Sequence, residues 1–138
     1  MRTEESVLEW MEMFALSVRE RNYSAGRELF ADEILGFGTY SGQLVGLDAL
    51  VENQWKPVWS VTRNFHFKAE MIRCEVLGDA AWIAAAWESE GRAAEGGEWH
   101  IRNGRATLIL QRREGGWRAV HSHFSLQPRH PDSATLSP

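Results

Sequence analysis

Apolar residues recur every three or four positions near the start of the chain and at alternate positions over much of its second half. Val7, Met11, Phe14 and Val18 are spaced by four, three and four, with Leu8 and Ala15 flanking the stripe. That period predicts an amphipathic helix over residues 3–21. Thr3 is placed to cap its first turn, Glu4 and Glu5 sit at the positive end of the helix dipole, and Arg19 and Arg21 sit at the negative end. Asn22-Tyr23-Ser24 breaks the stripe, and a second short helix is expected over about 24–31, anchored by Leu29 and Phe30 and weakened by Gly26. Residues 33–40 read as a strand interrupted by Gly36 and Gly38, positions where another backbone or a ligand can come close. A third helix is expected over 48–59. Leu50, Gln54 and Val58 lie on one side of it, with Val51, Trp55 and Trp59 stacked beside them, and Pro57 distorts its final turn.

From Asn64 onward the pattern changes to long strands. Residues 64–77, 80–91, 99–114 and 117–126 are each strand-like, and Gly78-Asp79, 94–97 and Gly115-Gly116 are turns between them. Helices first and then an antiparallel meander is an α+β architecture, with helices packed on one face of a curved sheet. Such a sheet wraps into a cone with a hollow open at one end. The chain reads as one domain over 1–127, followed by a polar, mobile tail over 128–138 with Pro128, Pro131 and Pro138.

Strand alternation sorts the candidate residues. In the last strand Trp117, Ala119, His121, His123 and Ser125 share one face, provided that no bulge intervenes. In the strand before it Arg105, Thr107, Ile109 and Gln111 oppose Gly104, Ala106, Leu108 and Leu110. Neither face is consistently polar, so both are expected to be covered, one by helices and the other by a second copy of the chain. His121 and His123 are the candidate general acid/base pair, because an imidazole pKa near ~6.5 suits proton transfer at neutral pH. The alternative is a pair of histidines hydrogen-bonded within the core. Arg105, in a stretch of small residues, needs an anion: a ligand carboxylate, or Glu88 or Glu90 on the adjacent strand. Phe14, Trp55 and Trp59 are candidates for an apolar wall, and His66, Thr107 and Ser125 for the polar lining. A metal at His-x-His would need a third ligand from His66, Glu70 or Glu88, and no spacing specifies one, so no metal is expected.

Composition narrows the classes. The chain has 138 residues, 43% of them hydrophobic and 25% charged, as a folded domain has. Its single cysteine, Cys74, excludes an internal disulfide and a multi-cysteine zinc site. A net charge of −4 without a Lys/Arg cluster argues against nucleic-acid binding. No apolar run approaches the ~18 residues of a membrane span, and the opening MRTEES lacks the apolar core of a signal peptide, so a cytoplasmic protein is expected. No P-loop, GxGxxG or GxSxG is present. Seven tryptophans, spread along the whole chain, point to a large interior or interface.

Several segments together resemble the SnoaL-like members of the nuclear transport factor 2 (NTF2)-like superfamily, which also holds ketosteroid isomerase. They are residues 28–32 (Glu-Leu-Phe-Ala-Asp), 46–50 (Gly-Leu-Asp-Ala-Leu), 77–82 (Leu-Gly-Asp-Ala-Ala-Trp), 104–110 (Gly-Arg-Ala-Thr-Leu-Ile-Leu) and 116–125 (Gly-Trp-Arg-Ala-Val-His-Ser-His-Phe-Ser). The resemblance covers about 5–127. It implies the cone-shaped α+β barrel, a homodimer through the outer sheet face and an apolar pocket. It does not imply steroid isomerisation, because Gly38 falls where an ungapped match from Leu29 puts the aspartate base. The histidine pair is similar to that of scytalone dehydratase, without a position-by-position match. The expectation is therefore a homodimeric, cofactor-free protein with a pocket for a small aromatic or carboxylate-bearing ligand. If it is an enzyme, it isomerises, dehydrates or cyclises by proton transfer, with Arg105 on the developing oxyanion. The competing expectation is an association module with no activity.

Overall fold

Residues 3–128 are described in a computed structural model of the chain. Helix α1 (Thr3–Glu20) buries Val7, Trp10, Met11, Phe14, Ala15 and Val18, while Leu8 turns outward, 43% exposed. Its ends are tied to other elements. The Trp117 indole N–H donates to Ser6 Oγ at 2.9 Å, and Arg19 donates to the carbonyl of Phe65 at 2.9 Å. Just past the helix, Arg21 takes a left-handed φ of 52° and donates to the carbonyls of Trp59 and Thr62. The cap expected of Thr3 rests on a side chain outside the described residues, as does the tail from 129 on.

Helix α2 (Tyr23–Arg27) is shorter than expected and is capped by Asn22, whose Oδ1 accepts from the N–H of Ala25. Strand β1 (Phe30–Phe37) follows, then β2 (Gln43–Val45), a short hairpin partner that the glycine-rich pattern concealed. The third helical segment has three parts: α3 (Leu47–Leu50), a π-helical turn (Val51–Trp55) and α4 (Lys56–Trp59). In the wide turn the N–H of Lys56 reaches back five residues to the carbonyl of Val51. The distortion thus lies one turn before Pro57 rather than after it. Proline has no N–H for the carbonyl of Asn53, and its ring would collide with that group in a regular helix.

Strands β3 (Thr62–Leu77), β4 (Ala80–Ala93), β5 (Gly96–Arg113) and β6 (Gly116–Leu126) form the expected meander. The sheet order is β2-β1-β6-β5-β4-β3, with β1 and β6 parallel and the other pairs antiparallel. The concave face carries Ala81, Ile83, Ala85 and Trp87 from β4 and Gly104, Ala106, Leu108 and Leu110 from β5, which join the buried stripe of α1 in one core, with α1 lying along β3. The alternating Ala and Leu or Ile positions leave room for the helix. Each large side chain among them contributes roughly 1.5–3 kcal/mol by leaving water.

One residue sets the orientation of the last strand. Ile109 pairs with His121 and Leu110 with Ala119, so Val120 is an extra residue, a β-bulge. Before it, Trp117 and Ala119 point inward; after it, Ser122 and Phe124 do. His121, His123 and Ser125 are thereby turned to the convex face, against the expectation from uninterrupted alternation. Arg105 and Thr107 are on that face too, because their even-numbered neighbours fill the core.

Candidate functional site

The hollow of the cone lies between α1, the 38–39 segment, the 50–59 helical turns and the inner faces of β3 to β6. Its floor is aromatic. Trp55 and Trp59 stack at 4.6 Å and 15° between planes, and Tyr23 stacks on Trp59 at 5.2 Å. Phe14 sits among these rings and those of Phe30, Phe65 and Phe124. The stack is possible because α2 carries glycine at position 26: a Cβ there would be 2.9 Å from Trp55. The rings leave a void of about 50 Å³. That is space for a few waters and is well below the ~300–1,000 Å³ usual for ligand pockets.

One side of the hollow is held by Gln54. Its Oε1 accepts from the N–H of Tyr40 at 3.1 Å and the hydroxyl of Ser41 at 2.8 Å, and its Nε2 donates to Thr39 Oγ1 at 3.1 Å. The 38–41 loop is latched in this way. Gly38 is required beneath it, since a Cβ would lie 2.2 Å from Gln54 Cδ.

The polar lining on the sheet side comes from residues that the sequence argument passed over. Ser89 and Arg102 face each other across β4 and β5, and Trp87 and Gly104 are the next inward pair. Ser122 and Thr62 also line the space. Burial pushes the Arg102 guanidinium below its usual pKa. Parity marks Arg102: it shares its face with Gly104, Ala106, Leu108 and Leu110, the apolar set that had to be inside.

Of the residues expected at the site, Phe14, Trp55 and Trp59 line the hollow. The others do not. His121 donates from Nδ1 to the carbonyl of Leu35 at 2.9 Å and packs edge-on against Phe37, whose ring also meets His123 at 5.1 Å. Arg105 donates from Nε to Ser125 Oγ at 3.1 Å, not to Glu88 or Glu90, whose partners are Lys68 and Arg63. Thr107 is exposed between His123 and Ala84 in the sheet register. His66 is exposed opposite Glu88 and donates from Nδ1 to the carbonyl of Asn64 at 3.0 Å. Among the described residues no group of three His, Cys, Asp or Glu side chains is placed to hold a metal. Burial, with Glu4 adding to it, pushes the half-buried Cys74 thiol up, away from the reactive thiolate.

A family model for the SnoaL-like domain matches residues 7–129. The chain belongs to this SnoaL-like family. No curated protein sequence matches it. Solved structures share the cone. An NTF2-like superfamily protein from Salmonella enterica aligns over 95% of each chain with a TM-score of 0.79 and 19% identity. A Xanthomonas campestris protein provisionally called a calcium/calmodulin dependent protein kinase II association domain aligns over 94% of this chain and 91% of its own, with a TM-score of 0.80 and 16% identity. A hexachlorocyclohexane dehydrochlorinase (LinA) type 2 aligns over 96% and 90%, with a TM-score of 0.76 and 15% identity. At such identities the SnoaL-like chain shares the fold of these proteins, and function has to be argued from its own side chains. Among its described residues no helix is long and apolar enough to cross a membrane.

Proposed function

We propose that this SnoaL-like protein binds a small, flat, apolar molecule in its cone. The observation that carries this reading is the make-up of the wall. Phe14, Trp55, Trp59 and Trp87 offer ring surface, and among the described lining residues there is no imidazole, carboxylate or thiol. A general acid or base has to reach the substrate within hydrogen-bond distance, and His121 and His123 stand on the far side of the sheet. The geometry therefore supports holding and orienting a ligand over isomerisation, dehydration or cyclisation by proton transfer. The void of about 50 Å³ is smaller than one ring, so the indoles have to shift for a ring to enter.

The test is a titration with toluene and indole, followed by NMR shifts of the Phe14, Val18 and Trp55 resonances. Saturable shifts are expected in the wild type and are expected to vanish in Val58→Phe, which fills the space from the helical side. If neither probe shifts those resonances, the cone is a closed core.

A second reading is association, and two observations favour it: the small void, and a row on the convex face that is apolar but for one imidazole. Trp82, Ile109, His121 and Leu35 are successive register partners across β4, β5, β6 and β1, with Trp82 36% and Ile109 40% exposed. A second copy seated on this row would form a homodimer whether or not the cone holds a ligand.

A further inference from the structure

We propose that the loop 38–42 is a flap over the hollow and that Gln54 is its catch, so that a ligand enters by breaking the bonds to Gln54 and swinging the loop outward. This rests on the pocket reading above and adds the route of entry.

The wall of the hollow has one part that can move without breaking a helix or a strand ladder. Of the residues lining the hollow, all but Gly38 and Thr39 belong to helices or strands. Those two open the five-residue loop between Phe37, the end of β1, and Gln43, the start of β2. No apolar anchor holds the loop down. Tyr40 is 70% exposed, and a Cβ on Gly42 would meet nothing within 4 Å. The bond inside the loop, from the N–H of Gly38 to the carbonyl of Ser41, is long at 3.3 Å. Among the described residues, the hydrogen bonds from the loop to the rest of the protein all end on one side chain, Gln54, through Thr39, Tyr40 and Ser41. A segment with few buried apolar contacts and few backbone bonds opens far below the cost of global unfolding. Once it swings out, its freed polar groups bond to water instead. Glycine at both ends, Gly38 and Gly42, supplies the backbone freedom of a hinge.

Gln54 is the second, independent observation. It is a polar side chain only 7% exposed, and it sits in the π-helical turn next to Trp55, whose ring is part of the aromatic floor. Catch and floor thus share one wide turn, a departure from regular helix that often accompanies function. The loop rests directly on the catch, since a Cβ on Gly38 would lie 2.2 Å from Gln54 Cδ. With the loop latched, the void is about 50 Å³, smaller than a ring. Shifting indoles make the space, and the flap makes the way in.

The experiment measures the association rate of toluene by NMR exchange on the wild type, Gln54→Leu and Ser41→Ala, with thermal melts to check folding. Gln54→Leu removes the catch and keeps its bulk. Ser41→Ala removes one bond from the loop side, at a residue that does not line the hollow. Toluene is expected to associate at least fivefold faster with Gln54→Leu than with the wild type, and at least twofold faster with Ser41→Ala. If both folded variants take up toluene at the wild-type rate, entry does not pass the flap, and the proposal is overturned while the pocket stands. A gain in Gln54→Leu without one in Ser41→Ala traces to the changed lining and overturns it too. If Gln54→Leu does not fold, the rate in Ser41→Ala decides alone. If toluene shifts the Phe14 and Trp55 resonances in none of the three proteins, both readings fall.

Discussion

Trp87 lies against the α-carbon of Gly104, its cross-strand partner, so closely that a β-carbon on residue 104 would sit 2.0 Å from Cζ2 and 2.1 Å from Cε2 of the indole. No other residue type fits there without moving the ring, which is buried against Phe65 and Phe124. Gly104→Ala is therefore expected to destabilise the fold by about 1–3 kcal/mol, the usual range for overpacking, and to shift the tryptophan emission. Urea denaturation followed by fluorescence reads both. A variant as stable as the wild type would mean that Trp87 has somewhere else to go.

The latch made by Gln54 is open to a direct measurement. Gln54→Leu keeps the bulk and removes three hydrogen bonds to residues 39–41. The expected result is faster hydrogen exchange at the Tyr40 amide, with little change at Ile83 or Leu108 in the core. Unaltered exchange at Tyr40 would show that the hairpin to β2 holds the loop by itself.

The convex position of the imidazoles gives an expectation opposite to the one from uninterrupted alternation. His121→Ala and His123→Ala should bind toluene and indole as the wild type does, within about twofold by NMR titration. A large loss in either variant would bring these histidines back into the site.

Association through the convex face predicts that Ile109→Asp shifts the sedimentation coefficient from that of a dimer to that of a monomer, without loss of far-ultraviolet ellipticity. Aspartate there would remove the apolar side chain between Trp82 and His121 and bring two carboxylates, one from each copy, into the seam, where leaving water costs them. A wild-type protein that sediments as a monomer at all concentrations would remove the proposal.

The ion pair of Glu33 with Arg113 gives a small pH dependence. The side-chain hydrogen bonds from Arg113 hold the Glu33 carboxyl below its ordinary 4.5. A carboxyl lowered in the folded state contributes stability above its unfolded pKa and loses it as pH falls through the folded value. Thermal melts between pH 7 and pH 3 should show a shallower acid-side decline for Glu33→Gln than for the wild type. The pair is fully exposed, so the difference is modest. An identical decline would assign the acid sensitivity to other carboxylates.

Much of the fold could be read from periodicity. The stripe Val7, Met11, Phe14 and Val18 gave α1, and the alternation of Ala81, Ile83, Ala85 and Trp87 against Trp82, Ala84 and Ala86 gave a two-faced strand. Period alone does not say which face is inner. The set Gly104, Ala106, Leu108 and Leu110 did hold that information, and it would have put Arg102 inside and Arg105 outside. The reversal in β6 was not legible: Val120 is an ordinary strand residue, and only its pairing with β5 makes it a bulge. The π-helical turn had a visible cause in Pro57, but the strain was relieved on the N-terminal side.

The parallel pairing of β1 with β6 joins Phe37 to His123 across most of the chain's length. Contacts of such long sequence separation are slow to form, because a large loop has to be closed before any bond rewards it. On the ribosome, the first strand must wait beside an unfinished sheet until the final hairpin emerges. Nascent chains ending before Gly116 would leave β1 without its parallel neighbour and Phe14 without the ring of Phe124. Those are the lengths at which a chaperone would be needed.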